Sequence, residues 1–139
     1  MLTRLTAPLL LGIAAIHVYW AAGGRMGADS AVPSRGGVKT QSPGPIPTLS
    51  VAGGLIAMAA AVELARRGRG GAVARLVALL SALIFSARSV GDFRLVGLTK
   101  RERGTAFARN DTLLYTPLCM ALSAGCLVAA RGAKGVAAA

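Results

Sequence analysis

Four apolar runs of similar length leave this chain few ways to fold. They read LTAPLLLGIAAIHVYWAAGG (residues 5–24), IPTLSVAGGLIAMAAAVELA (46–65), AVARLVALLSALIFSARSVGD (72–92) and DTLLYTPLCMALSAGCLVAA (111–130). About 20 helical residues, each rising about 1.5 Å, cross a hydrocarbon core about 30 Å thick. A very apolar soluble helical protein is the competing reading. The lengths of the uncharged runs, together with 15% charged residues against the ~25% usual in soluble domains, decide for the membrane. The expected fold is all-α: an integral membrane antiparallel bundle of four transmembrane helices within a single domain over residues 1–131. Residues 132–139 read as a disordered tail.

The first run resembles a secretory signal peptide in one respect, the short basic start MLTR. His17, Tyr19 and Trp20 would crowd a cleavage region, so the run is read as a retained span. Residues 25–45 form a Gly-, Pro- and Ser-rich polar loop without periodicity. RRGRGG at 66–71 is a basic turn short enough to set the second and third spans antiparallel. Pro47 and Thr48 suit a helix start. Gly53, Gly54, Ala57 and Ala61 form a small-residue stripe that admits a neighbouring helix. Glu63 is expected to pair with Arg66 or Arg67. Asn110, Asp111 and Thr112 are candidate caps for the fourth helix, which is expected to start near residue 111 and kink at Pro117. Cys119 and Cys126, seven residues apart on one helix, stand about 10 Å apart and cannot bridge.

Net charge is +11. In a soluble protein this would point to nucleic acid, but no stacking aromatics accompany the basic stretches, so nucleic acid is not an expected partner. The basic residues lie mainly in short segments between the apolar runs. There they fix topology and meet anionic lipid. The counts of basic residues on the two sides are nearly equal, but the tight cluster at 66–75 is expected to mark the cytoplasmic side, with both termini there, in the cell inner membrane. No Cys/His spacing calls for a metal and no motif calls for a cofactor.

Alternating spans bring three groups of unusual residues to one end of the bundle. His17, Tyr19 and Trp20 close the first span. Arg88, Asp92 and Arg94 close the third. Arg109, Asp111 and Tyr115 open the fourth. Arg88 and Asp92 are four apart, as are Asp111 and Tyr115, so each pair shares a helix face. Charged groups within spans usually face the bundle interior, paired. The expected arrangement is an interior cluster in which Arg88 bridges Asp92 and Asp111, with His17 and Tyr115 nearby. The plain alternative is that Arg88 snorkels and the aromatic rings sit at interface depth for their own sake.

The stretches HVYWAAGG (17–24), ARSVGDFRLVGL (87–98) and GTAFARNDTLLYTPLC (104–119) resemble the motifs of a family of small bacterial four-span membrane proteins catalogued only as a domain of unknown function. The motif positions fall at His17, Trp20, Gly24, Arg88, Asp92, Phe93, Arg94, Gly97, Phe107, Asp111, Tyr115, Pro117 and Cys119. The resemblance implies the four-helix membrane architecture and brings no activity with it.

Three functions fit these residues. One is binding of a small anionic molecule or lipid head group by His17, Trp20, Arg88, Asp92, Arg94, Arg109, Asp111 and Tyr115. Another is a structural or accessory subunit that docks a second copy or a partner membrane protein. The third is a membrane enzyme using His17, Asp92, Asp111 and Tyr115 as acid–base groups on a lipid-soluble substrate. No nucleophile elbow, metal pattern or phosphate loop supports the third.

Overall fold

The computed structural model describes residues 2–35, 38–39 and 43–132; the expected disordered tail therefore lies almost wholly outside the described residues. Helix α1 covers Leu2–Ala21, a single turn α2 covers Ala28–Ala31, and α3 and α4 cover Pro45–Arg66 and Gly71–Val90. A last long helix runs from Ala106 to Arg131 in three parts: α5 (Ala106–Asn110), a π-helical stretch (Asp111–Tyr115) and α6 (Thr116–Arg131). Apart from a two-residue antiparallel ladder of β1 (Ser34–Arg35) and β2 (Val38–Lys39), the described residues are helix and loop. Among the described residues four helices, of 19, 22, 20 and 26 residues by their apolar stretches, are long and apolar enough to cross a membrane. The chain is a multi-pass, four-helix membrane protein.

Glycine decides where the helices stop. The first span was expected to reach residue 24, but α1 ends at Ala21. Gly23 turns left-handed (φ 94°), and the Gly24 and Gly23 amides donate back to the Tyr19 and Trp20 carbonyls. That pattern is a Schellman motif. A Cβ on Gly24 would lie 2.3 Å from the Tyr19 ring, so this turn also needs a bare backbone. The end of α3 repeats the device at Gly68, with Arg69 and Gly68 donating to Leu64 and Ala65. Glu63 pairs with both Arg66 and Arg67 there.

α1 lies along α3 and α4 along α6, with further contacts of α3 on α4 and of α6 on α1 and α3. The centre is built from small residues. Ala14, Ala59, Ala65, Ala78 and Ala129 are buried around Leu10, Val62, Leu122 and Cys126. The larger side chains face outward, among them Leu9, Leu11, Ile56, Leu79, Leu83 and Ile84. Lipid is as apolar as leucine, so span association relies on close van der Waals approach and interhelical hydrogen bonds. A Cβ on Gly125 would lie 2.0 Å from Thr6 Oγ1, which shows how near α1 and α6 come. Ser123 bonds Ser86 at 2.7 Å and donates to the Ala82 carbonyl at 2.9 Å, joining α4 to α6.

The expected small-residue stripe on the second span is only partly inside. Ala61 is buried, but Gly53, Gly54 and Ala57 face outward, and a Cβ on either glycine would meet nothing within 4 Å. The face turned to the bundle is Thr48, Ala52, Leu55, Ala59, Val62 and Ala65. Both cysteines are free thiols.

Candidate functional site

The fourth long helix starts five residues earlier than expected. Thr105 is its cap, accepting the Ala108 amide at 3.0 Å, whereas Asn110, Asp111 and Thr112 lie inside it. Pro117 explains the irregularity that follows. Proline has no N–H and its ring clashes with the carbonyl one turn back. The helix widens into a π turn immediately before it, in which the Thr116 amide donates to the Asp111 carbonyl five residues earlier. Such turns occur frequently at functional sites. Here the turn carries Asp111.

Asp111 is fully buried and receives four donors. Arg88 Nη2 donates to Oδ1 at 2.6 Å. Oδ2 takes the Gly97 amide at 2.8 Å, Lys100 Nζ at 2.9 Å and Thr116 Oγ1 at 3.3 Å. Lys100 is itself buried and also donates to the Gly97 carbonyl at 3.1 Å. A carboxylate costs several kcal/mol to bury unless it is paired and hydrogen-bonded. Both conditions are met. Arg88 lies half-buried, and its Nη1 is the one buried side-chain polar atom without a hydrogen bond among the described residues. The pairing of Arg88 with Asp111 is as expected. Lys100, Gly97 and Thr116 were not anticipated.

Asp92 does not join this group. A shared face for Arg88 and Asp92 requires the third helix to continue through residue 92, but α4 ends at Val90 because Gly91 takes φ 97°. The chain then folds back. Leu98 and Thr99 donate their amides to the Ser89 and Val90 carbonyls, which closes the end of α4. Asp92 organises the loop from within. Its Oδ1 accepts the amides of Arg94, Leu95 and Val96 at 2.9, 2.7 and 3.0 Å. These bonds, Val96's foremost, hold the exposed Asp92 carboxyl below the usual carboxylate range. Gly91 and Gly97 form the neck of the loop. A Cβ on Gly97 (φ 80°) would stand 2.5 Å from the Gly91 Cα, so neither position has room for a side chain. The loop thus presents the Gly97 amide to Asp111.

His17 and Trp20 lie elsewhere. They line a cleft of about 790 Å³ between the end of α1, the α2 turn and the start of α3. Arg25, Pro45, Pro47 and Thr48 are among its other walls, but Arg88, Asp92 and Asp111 are not. His17 Nδ1 bonds the Ile13 carbonyl at 2.8 Å, and its ring lies 5.3 Å from that of Trp20, tilted by 58°. Trp20 Nε1 donates to the Met26 carbonyl at 2.9 Å, pinning the turn after α1. The single interior cluster expected from the sequence is therefore two sites. Tyr115 stands between them. Its hydroxyl donates to the Ser30 carbonyl at 3.3 Å, and its ring lies 6.1 Å from that of the buried Phe107. It ties the π turn to α2, whose Ala28 and Ala31 form part of the cleft wall.

Arg94 and Arg109 make no side-chain ion pair among the described residues. Arg94 acts through its backbone carbonyl, which accepts the amides of Arg101 and Glu102. Arg109, with Arg103, borders a shallower hollow of about 530 Å³ at the start of α5.

The profile of a family described as "Protein of unknown function" (DUF3995) matches residues 10–126, a stretch that contains both sites. No curated protein and no solved structure matches the chain. With four apolar helices and a family match over most of its length, the chain belongs to the DUF3995 family.

Proposed function

We propose that this protein binds an anionic amphiphile, a lipid head group or small anionic molecule, in the cleft between α1 and α3. The observation that carries this reading is the cleft itself. It opens between the ends of two spanning helices, has an apolar wall with Trp20 in it, and holds one arginine, Arg25. Such pockets pair a mostly apolar lining with a few placed polar groups. The Arg88–Lys100–Asp111 group has a different part in this reading. Its carboxylate is satisfied by four protein donors, so it serves as a clasp that holds the loop and the π turn in place. Trp20, the chain's only tryptophan, is a built-in reporter. Its emission is expected to shift when anionic lipid is added to the protein in neutral micelles, and Arg25→Gln is expected to weaken that response about tenfold, a typical charge-assisted contact. A response that ignores both lipid charge and Arg25 would rule the reading out.

Both termini are read as cytoplasmic, which puts the cleft at the opposite membrane face. The concentrated arginines of residues 66–75 support this orientation. Labelling of single cysteines placed at residue 69 and residue 103 in intact cells tests it, with 103 alone expected to react with an impermeant reagent.

One observation favours a second reading, a subunit that docks another membrane protein. Gly53, Gly54 and Ala57 form a smooth outward face on α3. Crosslinking from residue 57 in native membranes would capture a partner if this reading holds.

A further inference from the structure

The hydrogen bonds around the cleft determine which head group it suits. The donor groups of three of its polar side chains are already committed. Trp20 Nε1 donates to Met26 O at 2.9 Å and Thr48 Oγ1 to Gly44 O at 2.9 Å. His17 Nδ1 faces the Ile13 carbonyl at 2.8 Å. A carbonyl can only accept, so Nδ1 carries the proton and the neutral ring keeps its lone pair on Nε2. No protein donor reaches Nε2 among the described residues. Arg25 is exposed and without an ion-pair partner among them. Much of the remaining wall is proline and alanine. Among the described residues the cleft therefore offers one cation and one accessible side-chain acceptor, His17 Nε2, since the Thr48 oxygen, which can also accept, is buried.

A phosphate alone uses only the first. A phosphodiester that also carries a hydroxyl uses both. We propose that the cleft selects a phospholipid whose head group bears a hydroxyl donor beside its phosphate, as a glycerol head group does. The phosphate pairs with Arg25, the hydroxyl donates to His17 Nε2, and the acyl chains remain among the lipid-facing helices. This rests on the reading that anionic lipid enters the cleft, and it adds the part of the head group that His17 recognises.

The test compares two lipids of equal charge, phosphatidylglycerol and phosphatidylmethanol, the second lacking the hydroxyls. Each is titrated in mixed micelles against the full chain, with Trp20 emission as the readout. Phosphatidylglycerol is expected to bind about three- to tenfold more tightly, the worth of one hydrogen bond. His17→Leu should bring the two affinities together by removing the advantage of phosphatidylglycerol. His17→Gln, which keeps an acceptor, should retain part of the preference; it also serves if the leucine variant fails to fold. Arg25→Gln should weaken both lipids equally. Equal affinities in the wild type, with Arg25 still required, would overturn the selectivity and leave the anionic-lipid reading standing. No response to either lipid would overturn both. Displacement of the lipid by millimolar glycerol 3-phosphate would show that a free phosphoester suffices, against a lipid ligand.

Discussion

At Asp111 a single side chain holds together parts of the chain that are far apart in sequence. Arg88 from α4, the Gly97 amide and Lys100 from the loop, and Thr116 beyond the π turn all end on its two oxygens. Asp111→Asn keeps the shape and removes the charge, leaving a buried lysine and a half-buried arginine without a counter-ion. Breaking a buried pair in this way costs roughly 3–5 kcal/mol. Thermal unfolding in detergent should show that loss. Lys100→Met, which leaves Asp111 with three donors, should cost about 1–2 kcal/mol. Asp92 gives a prediction in pH. Its folded pKa is depressed, so its contribution to the loop is complete above the unfolded value of about 3.9 and fades as pH falls through the lower folded value. Amide exchange at Arg94, Leu95 and Val96 should stay slow for its intrinsic rate at pH 5 and lose protection only below the ordinary carboxylate range. Asp92→Ala should abolish that protection at every pH. The Arg88–Asp111 pair was legible from the order of spans alone, because both residues fall at one end of the bundle. Lys100 was not, since a lysine in a basic loop looks like any solvated charge, and the Gly97 contribution is a backbone amide with no side chain to read. The i, i+4 spacing misplaces Asp92 because it runs across Gly91, where α4 ends. The signal available was the glycine itself, followed by an aspartate able to accept three amides.

The long last helix shows the same limit over a whole element. Its inward positions run 108, 111, 116, 119, 122, 126 and 129, regular except for one gap of five at the π turn. A helical wheel drawn through the apolar run assumes no such gap, which is why the site of the proline was foreseen and the local geometry was not. The turn is in effect one extra residue. Deleting the exposed Leu113 should therefore leave α6 packed as before and chiefly disturb the clasp. Deleting Leu127, in the regular part, should rotate Ala129 and Ala130 out of the core. Comparing folded yield and melting temperature of the two deletions decides this, with the second expected to be much the worse. The contact of α1 with α6 offers a sharper case. Gly125→Ala forces a methyl group onto Thr6 Oγ1 and should cost roughly 1–3 kcal/mol, the range for overpacking. Adding Thr6→Ala removes the atom in the way and should return part of that loss.

The number and length of the spans could be read directly because they follow from bilayer thickness, which is indifferent to sequence detail. Which face of each helix turns inward could not. The lipid side is as apolar as the core, so no polar stripe marks the outside, and the real distinction is one of size, with the buried positions mostly alanine and most leucine and isoleucine outside. The same flatness hid the pairing of α1 with α3, and with it the separation of His17 and Trp20 from the clasp. One further consequence concerns the order in which the chain is made. Arg88 and Lys100 are synthesised 23 and 11 residues ahead of the carboxylate that receives them. In the folded chain Asp92 makes no ion pair among the described residues, and three amides of its own loop end on its Oδ1. A nascent chain with three helices in the bilayer therefore carries two cations awaiting a partner, and arrival of the fourth helix both completes the bundle and discharges them. Any change that delays that helix extends the life of the three-span form.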